Sequence, residues 1–254
     1  MNNPNFRERL HAGETLFGSL LNMPSASVAE VLAAAGFDWL FIDTEHGPIG
    51  TSALLSILQA VDRRLACIVR IPELNGGAIK RTLDSGAHGI IVPQVETAAA
   101  AAEVVRCGRY APLGERGMGL GRAHGYGFSF ADYVAGANDA ITLVIQVEHA
   151  RAVDNIEAIV AVDGIDAVFI GPYDLSASLG LAGKIDHPRV IEAIEHVTRT
   201  CQQAGRALGY FGVDAAAVKP YIAQGYTLIC AGIDCVLLGQ SAERLVKSLQ
   251  TGGD

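Results

Sequence analysis

The chain has 254 residues, 50% of them hydrophobic, and a formal net charge of −8. This length matches one α/β domain of about 250 residues, and the apolar fraction is enough for a large core. The acidic balance argues against a nucleic-acid partner, which requires a basic face. The apolar runs are far shorter than the roughly 20 residues of a membrane span, and Met1–Leu10 lacks a signal-peptide core. Five cysteines without CxxC spacing indicate reduced thiols, so we expect a cytoplasmic protein with no membrane partner.

Eight short apolar runs recur along the chain, and each is almost continuous, as expected of strands covered on both faces. They are Leu16–Leu21, Trp39–Asp43, Ala66–Arg70, Gly89–Pro93, Thr142–Glu148, Ala167–Gly171, Ala207–Phe211 and Thr227–Ile233.

Helical patterns separate these runs. They are Ser27–Ala35, Thr51–Arg63, Gly77–Ser85, Thr97–Arg106, Asp154–Val160, Pro188–Ala204, Asp214–Gln224 and a final Ser241–Gln250. Several of them end in a glycine, the residue that stops a helix in the left-handed conformation. The alternation predicts a (β/α)8 TIM barrel, with a doubly wound open sheet as the alternative. No linker or shift in composition interrupts the pattern, which favours a single domain over residues 1–254.

One segment departs from the alternation. Tyr110–Asn138 is long and rich in glycine and arginine, and loops of this length are usually functional or disordered. Because it follows the fourth strand–helix unit, we expect it to pack near the rim that carries the site. The alternative is a mobile lid or an oligomer contact without chemistry.

Polar side chains collect at one end of the predicted strands, and in a TIM barrel the active site lies where the strands end. These ends are Asp43–Gly47, Arg70, Gln94, Gln146–Glu148 and Tyr173–Asp174. Their crowding at one end, against few polar residues at the other, predicts an active site there.

Glu148 and Asp174 follow two consecutive strands and are the candidate metal ligands. Carboxylates together with water and substrate oxygens suit Mg or Mn, and Co or Zn with lower selectivity. The alternative is that each acid caps the helix that follows it.

His46 is the candidate general base, because it is the only histidine at a predicted strand end. Asp43 is placed to orient it, although Asp43 and Glu45 are equally consistent with simple loop acids. Arg70 ends an apolar run, where a guanidinium needs an anionic partner. That partner is either a substrate carboxylate or enolate, or a structural ion pair with Glu45, Glu73 or Asp84.

These residues together suit one chemistry. A metal polarises the carbonyl of a 2-oxo acid, a base moves a proton, and the cation and an arginine stabilise the enolate. No lysine lies at a strand end for Schiff-base chemistry, and no nucleotide-binding or serine-hydrolase motif is present. The sequence therefore indicates a metal-dependent aldol reaction on a 2-oxo acid and an aldehyde.

The motifs resemble the HpcH/HpaI family of class II pyruvate aldolases, of the 4-hydroxy-2-oxoheptanedioate aldolase and 2-dehydro-3-deoxyglucarate aldolase type. The resemblance extends over nearly the whole chain. It rests on Ala35–Trp39, Ile42–His46, Val69–Arg70, Gly114–Gly117, Gln146–Glu148 and Phe169–Ser176. It implies a TIM barrel enzyme that reversibly cleaves a 4-hydroxy-2-oxo acid to pyruvate and an aldehyde, in the catabolism of aromatic compounds or sugar acids.

The resemblance also implies roles at the metal and the substrate. Glu148 and Asp174 would bind the divalent metal, and Gln146 would contact the substrate. The backbone N–H groups around Tyr173 and Asp174 would hold the pyruvate carboxylate.

For the proton transfer and charge, the resemblance implies that His46 acts as the base, directly or through a metal-bound water. Asp84 would raise its basicity, and Arg70 would stabilise the transition state. The family assembles as hexamers of dimers that exchange a C-terminal helix, so Asp84 and other parts of the site are expected to come from a neighbouring chain.

Three departures from the family pattern bear on the aldehyde. Leu20 stands where many members have Trp, Tyr173 replaces a common Ala, and the Gly119–Tyr126 loop differs. A related metal–enolate reaction is the alternative function: oxaloacetate decarboxylation, a citrate-synthase-like condensation or CoA-thioester lysis. A non-catalytic barrel is disfavoured because the candidate metal ligands, base and arginine are all present.

Overall fold

Eight parallel strands form a closed barrel in sequence order, and the last strand pairs with the first. The computed structural model describes residues 6–62 and 64–251. The strands are β1 Leu16–Leu21, β2 Trp39–Asp43, β3 Ala66–Arg70, β4 Gly89–Val92, β5 Thr142–Val147, β6 Ala167–Ile170, β7 Ala207–Gly212 and β8 Leu228–Ile233. This architecture confirms the predicted (β/α)8 TIM barrel and excludes the open sheet.

Three strands end one residue earlier than predicted, and the residues that leave the ladder belong to the rim. β4, β5 and β6 stop before Pro93, Glu148 and Gly171. An apolar run does not distinguish the last paired residue from the first residue beyond the sheet. Glu148 is therefore free of strand pairing, and its side chain is available to the site.

The helices pack around the barrel and return the chain to the start of each following strand. They are α1 Phe6–His11, α2 Ala26–Ala34, α3 Thr51–Val61, α4 Gly76–Asp84, α5 Ala98–Gly108, α6 Phe130–Ala140, α7 Ala150–Asp154, α8 Ile156–Val160, α9 Pro172–Ser178, α10 Pro188–Gln203, α11 Ala215–Ala223 and α12 Asp234–Thr251, with a 3-10 helix at Arg122–Gly127. Within residues 6–62 and 64–251, no helix is both long and apolar enough to cross a membrane. The end of the predicted Thr51–Arg63 helix and the first half of Met1–Leu10 fall outside the described residues.

Large aromatic side chains fill the barrel near the amino-terminal ends of the strands. Trp39 packs against Phe41 and Phe169, and Phe6 of α1 packs against Trp39 in the same buried cluster. A Cβ atom at Gly18 would lie 2.5 Å from Cε2 of Trp39, so only glycine leaves room for the indole. The barrel interior is thereby closed by packing at the end opposite the polar strand ends.

The glycine-rich segment does not lie near the active rim of its own chain, and the predicted placement is wrong. Arg122 donates to the carbonyl groups of Leu58 and Ser85 and pairs with Asp62, all at the ends of α3 and α4. These helices run back against the strands, so their last residues lie at the opposite end of the barrel. The segment follows α5 rather than β4, and the chain has already crossed back when it begins. It also contains α6, which the sequence pattern did not predict.

Candidate active site at the carboxyl ends of the strands

Arg70 is the centre of an ion-pair group at the ends of β2 and β3. Asp43 and Arg70 are register partners in the two strands. Nε of Arg70 donates to Oδ1 of Asp43 at 2.9 Å, and Nη2 donates to Oδ2 at 2.7 Å. Nη1 lies 3.1 Å from Oε2 of Glu45. Of the partners predicted for a structural ion pair, Glu45 is the one that contacts the guanidinium.

Burial opposes the positive charge of Arg70, but the hydrogen bonds to Asp43 and the negative charges of Asp43 and Glu45 outweigh it and raise the pKa. The arginine therefore stays charged with only 7% of its surface exposed. A buried cation of this kind is held in one orientation, with Phe41 below its guanidinium.

His46 lies in the turn after β2, and its side chain is 63% exposed. Oδ1 of Asp43 accepts hydrogen bonds from the backbone N–H groups of Glu45, at 3.1 Å, and His46, at 3.3 Å. Asp43 thus fixes the backbone of the turn, whereas the imidazole Nε2 lies 4.0 Å from Oε2 of Glu45. The carboxylate beside the imidazole belongs to Glu45, and Asp43 acts on His46 through the backbone.

Glu148 is buried, and both of its carboxylate oxygens are held by neighbours. Oε1 accepts from the backbone N–H of Gln94 at 2.8 Å, and Oε2 accepts from Nε2 of Gln146. Burial, together with the nearby charges of Glu45 and Asp174, raises the pKa of Glu148 to about 7, against the opposing effects of the Gln94 N–H and Arg70. The pKa of Glu45 is also raised, chiefly by burial.

Gly171, the first residue after β6, makes room for the side chains of Gln146 and Glu148 because it has no Cβ atom. A Cβ atom there would lie 2.7 Å from Nε2 of Gln146 and 3.0 Å from Oε2 of Glu148. Oε1 of Gln146 is buried and has no hydrogen-bond partner. Gln146, Glu148 and Gly171 thus form a cradle in which Oε1 of Gln146 is free to bind a ligand.

This arrangement fits a hard divalent cation. Among the described residues, no group of three or more His, Cys, Asp and Glu side chains is arranged to hold a metal ion, so a closed structural site is absent from that part of the chain. Glu148 and Asp174 instead offer two carboxylates. A third carboxylate, that of Glu45, lies close enough for like-charge repulsion with both. A cation that keeps water and substrate oxygens as ligands suits such an open set, and it relieves the crowding of negative charge.

Tyr173 and Asp174 lie in the first turn of α9, and both side chains are exposed. The first bond of the helix runs from the N–H of Leu175 to the carbonyl of Gly171, at 3.0 Å. The N–H groups of Tyr173 and Asp174 precede it and have no partner within the helix. They lie beside Glu148 at the rim.

Asp84 is not brought to this rim within the chain. It is the last residue of α4, at the opposite end of the barrel, where Oδ1 accepts from Nη2 of Arg116 at 2.7 Å. The guanidinium of Arg116 lies over the ring of Tyr110. The predicted effect of Asp84 on His46 therefore requires two chains.

Three site features had no role assigned from the sequence. The backbone N–H of Gln94 binds Glu148, Glu45 is the carboxylate nearest the His46 imidazole, and Gly171 gives the cradle its space. Glu45 and Gln94 follow predicted strands and Gly171 ends one, so position in the barrel was the available signal. A backbone N–H donor and the absence of a Cβ atom cannot be recognised from side-chain chemistry.

The family model described as HpcH/HpaI aldolase/citrate lyase matches residues 17–240. The chain belongs to this family. A 2-keto-3-deoxy-L-rhamnonate aldolase from Klebsiella pneumoniae is 43% identical over 247 residues, which cover 96% of this chain and 92% of the relative. The resemblance inferred from the motifs is thereby confirmed, together with the enzyme class, a carbon–carbon lyase of the aldolase type.

Solved structures of the family share the whole architecture. An HpcH/HpaI aldolase/citrate lyase family protein from Burkholderia cenocepacia superposes with a TM-score of 0.93 at 38% identity, over 98% of this chain and 100% of that one. A citrate synthase, SbnG, superposes with a TM-score of 0.88 at 26% identity, over 98% and 99% of the two chains. One barrel therefore carries more than one reaction, and the site must decide between them.

Proposed function

We propose that this chain is a divalent-metal-dependent aldolase that reversibly cleaves a 2-keto-3-deoxy sugar acid to pyruvate and a hydroxyaldehyde. The observation that carries the proposal is the cradle of Glu148, Gln146 and Gly171 beside Asp174 and Arg70. Relatives about 40% identical are named for 2-keto-3-deoxy-L-rhamnonate. Cleavage of that six-carbon acid between C3 and C4 gives pyruvate and 2-hydroxypropanal, so it is the first substrate to test.

Glu148 and Asp174 would hold the cation, and Mg or Mn suits their oxygen donors best. When bound, the cation supplies Lewis acidity at the 2-oxo group and offsets the negative charge that develops there. Gln146 has a free buried oxygen, and its amide lies against Glu148, so it contacts the 2-oxo acid beside the metal site. The free N–H groups of Tyr173 and Asp174 bind the carboxylate of the substrate.

Arg70 stabilises the enolate of pyruvate. A guanidinium has five N–H donors, and Asp43 takes one through Nε and one through Nη2. The remaining donors are fixed in direction by this bidentate pair, so they need no reorganisation when charge develops on the substrate.

His46 moves the proton. In the cleavage direction its imidazole takes the proton of the 4-hydroxyl group while the C3–C4 bond breaks, and in the condensation direction it returns that proton to the oxygen of the former aldehyde. Oε2 of Glu45 lies 4.0 Å from Nε2 of this imidazole. Protonation of the enolate at C3 then gives pyruvate.

A second copy of the chain completes the site. Asp84 is remote from His46 in its own chain and lies at an exposed end of the barrel, next to the glycine-rich segment. The residues of α12 from Ser241 to Gln250 are exposed, and they include the apolar side chains of Leu245, Val246 and Leu249. Exchange of α12 between subunits would bury this face, and a hexamer would bring Asp84 of one chain to the rim of another.

An assay of both directions tests the proposed function. Metal-free protein with added Mg or Mn and 2-keto-3-deoxy-L-rhamnonate should release pyruvate, and pyruvate with 2-hydroxypropanal should condense. Glu148→Gln is the matched control because it keeps the shape of the side chain and removes its charge. Full activity after complete removal of metal by EDTA would contradict the mechanism.

A citrate-synthase-like condensation is the second candidate, favoured only by the likeness to SbnG at 26% identity. The 43% identity to an aldolase supports the cleavage reaction more strongly. Citrate formation and oxaloacetate decarboxylation measured on the same preparation distinguish the two, because an aldolase should run pyruvate exchange far faster than either.

A further inference from the structure

Gln94, the second residue after β4, has a left-handed backbone with φ of 54°. Among the non-glycine residues of 6–62 and 64–251, it shares a positive φ only with Asp62 and Tyr126. Those two lie at the end of α3 and within the glycine-rich segment, away from the site. A residue with a side chain adopts this conformation at a cost, and such strain concentrates at functional sites.

The surroundings of Gln94 hold the unusual conformation in place. Pro93 and Val95 on either side are buried, whereas the side chain of Gln94 is exposed. The side chain therefore does not drive the turn. The turn instead sets the direction of the backbone N–H of Gln94, which donates to Oε1 of Glu148 at 2.8 Å.

The N–H of Gln94 matters because Arg70 competes for the carboxylate of Glu148. The charge of Arg70, at the end of β3 and two strands away, acts on Glu148. Without the Gln94 donor, the carboxylate would be free to turn toward the guanidinium, which already binds Asp43 and Glu45. With Oε1 held by Gln94 and Oε2 by Gln146, the carboxylate has one orientation.

We propose that Gln94 is a positioning residue, and that its strained backbone aims an N–H group at Glu148 to preset this carboxylate for a divalent cation. The proposal rests on the proposed function, since it takes Glu148 as a metal ligand. The side chain of Gln94 has no part in it, so the prediction concerns one backbone hydrogen.

The decisive experiment changes that hydrogen alone. Lactic acid, the α-hydroxy analogue of alanine, is incorporated at position 94 and compared with Gln94→Ala, so that the two proteins differ only by an ester in place of an amide. We expect the ester protein to bind Mn²⁺ about 10- to 100-fold more weakly, measured by electron paramagnetic resonance of free Mn²⁺. Gln94→Ala and Gln94→Gly should bind Mn²⁺ as the unaltered chain does, because both retain the N–H.

Gln94→Gly adds a check on strain. Glycine accepts a positive φ without cost, so this variant should melt at the same temperature as the unaltered chain or a few degrees above it. Equal Mn²⁺ affinity of the ester and alanine proteins would overturn the proposal, and so would a loss of affinity in Gln94→Ala, which would assign the role to the side chain.

Hydrogen exchange in the metal-free protein separates this proposal from the proposed function. The amide of Gln94 should exchange faster in Glu148→Ala than in the unaltered chain if Glu148 accepts from it. If the Gln94 amide loses protection in Glu148→Ala but the unaltered chain binds no Mn²⁺, the hydrogen bond is supported and only the metal role of Glu148 is refuted. Unchanged protection would refute the hydrogen bond itself, whatever the metal affinity.

Discussion

Arg70 and Asp43 form a bidentate pair in which both side chains are almost completely buried, with distances of 2.9 Å and 2.7 Å. The pair joins neighbouring strands at matched register positions, and the same carboxylate caps the turn that carries His46. One ion pair thus sets the direction of the cation and the position of the base. Loss of Asp43 or Arg70 should therefore disturb both the ion pair and the turn that positions His46.

Arg70→Lys should lower kcat by about 100-fold while leaving Mn²⁺ affinity nearly unchanged. Lysine keeps the charge but does not form the planar two-point contact with Asp43, so its ammonium is not aimed at the substrate. Steady-state kinetics and Mn²⁺ titration measure the two effects. Arg70→Ala should also be less stable by roughly 3–5 kcal/mol, because the buried carboxylate of Asp43 and the partly buried one of Glu45 lose their partner. A lysine variant with normal kcat would show that the fixed guanidinium is not needed.

Glu148→Gln should stabilise the metal-free protein at pH 8 and have little effect on its stability at pH 4. The folded pKa of Glu148, about 7, is above the ordinary value of 4.5 for glutamate, so folding favours the protonated acid. The favourable contribution is full below the unfolded pKa and is lost as the pH rises through about 7. At about 1.4 kcal/mol per pKa unit, the difference is at most roughly 3.5 kcal/mol.

Urea unfolding of the two proteins across this pH range measures the effect. Added Mn²⁺ should restore the stability of the unaltered chain at pH 8, since the cation binds the ionised carboxylate, and should not affect Glu148→Gln. A parallel pH dependence in both metal-free proteins would contradict the raised pKa.

The strand ends could be predicted from the sequence because buried parallel strands are continuous apolar runs, and the first polar residue marks the rim. Arg70 and Glu148 were found in this way. The short helix α1 was missed because it buries only Phe6 and Leu10, and α6 because it buries only Ala137. The contribution of Gln94 was not predictable, since it comes from a backbone N–H whose direction depends on φ.

The partner of Asp84 also lay beyond prediction from pattern alone. The sequence pattern places Asp84 at the end of a helix, but only the fold reveals that this helix, α4, ends at the opposite side of the barrel from His46. The glycine-rich segment was misplaced for the same reason: counting strand–helix units gives the order of the elements, and the direction of the preceding helix decides the end at which a loop emerges.

Tyr173→Ala should change the preference for the aldehyde and leave the pyruvate half of the reaction intact. The phenol is 43% exposed at the rim, next to Asp174, and its backbone N–H does not depend on the side chain. We expect KM for 2-hydroxypropanal to rise several-fold and larger aldehydes to react faster. Detritiation of labelled pyruvate, which needs no aldehyde, is the control and should be unchanged. An equal loss in both assays would assign Tyr173 to the pyruvate site.

Two inactive variants should restore activity when they are mixed, if Asp84 acts across subunits. His46→Ala removes the base from its own rim, and Asp84→Ala removes the carboxylate supplied to a neighbouring rim. In a hybrid oligomer, some sites combine an intact His46 with an intact Asp84 from another chain, whereas neither pure protein contains such a site. Unfolding and refolding an equimolar mixture should therefore recover a sizeable fraction of normal kcat.

The matched control for the mixing experiment is His46→Ala with Arg70→Ala. His46 and Arg70 lie at the same rim of one chain. Each chain supplies both positions to its own rim. Every rim in a mixed oligomer therefore lacks either His46 or Arg70, and mixing creates no intact site. Activity recovered with Asp84→Ala and absent with Arg70→Ala assigns Asp84 to the neighbouring subunit. If neither mixture recovers activity while native mass spectrometry detects hybrid oligomers, Asp84 acts only within its own chain, as the partner of Arg116.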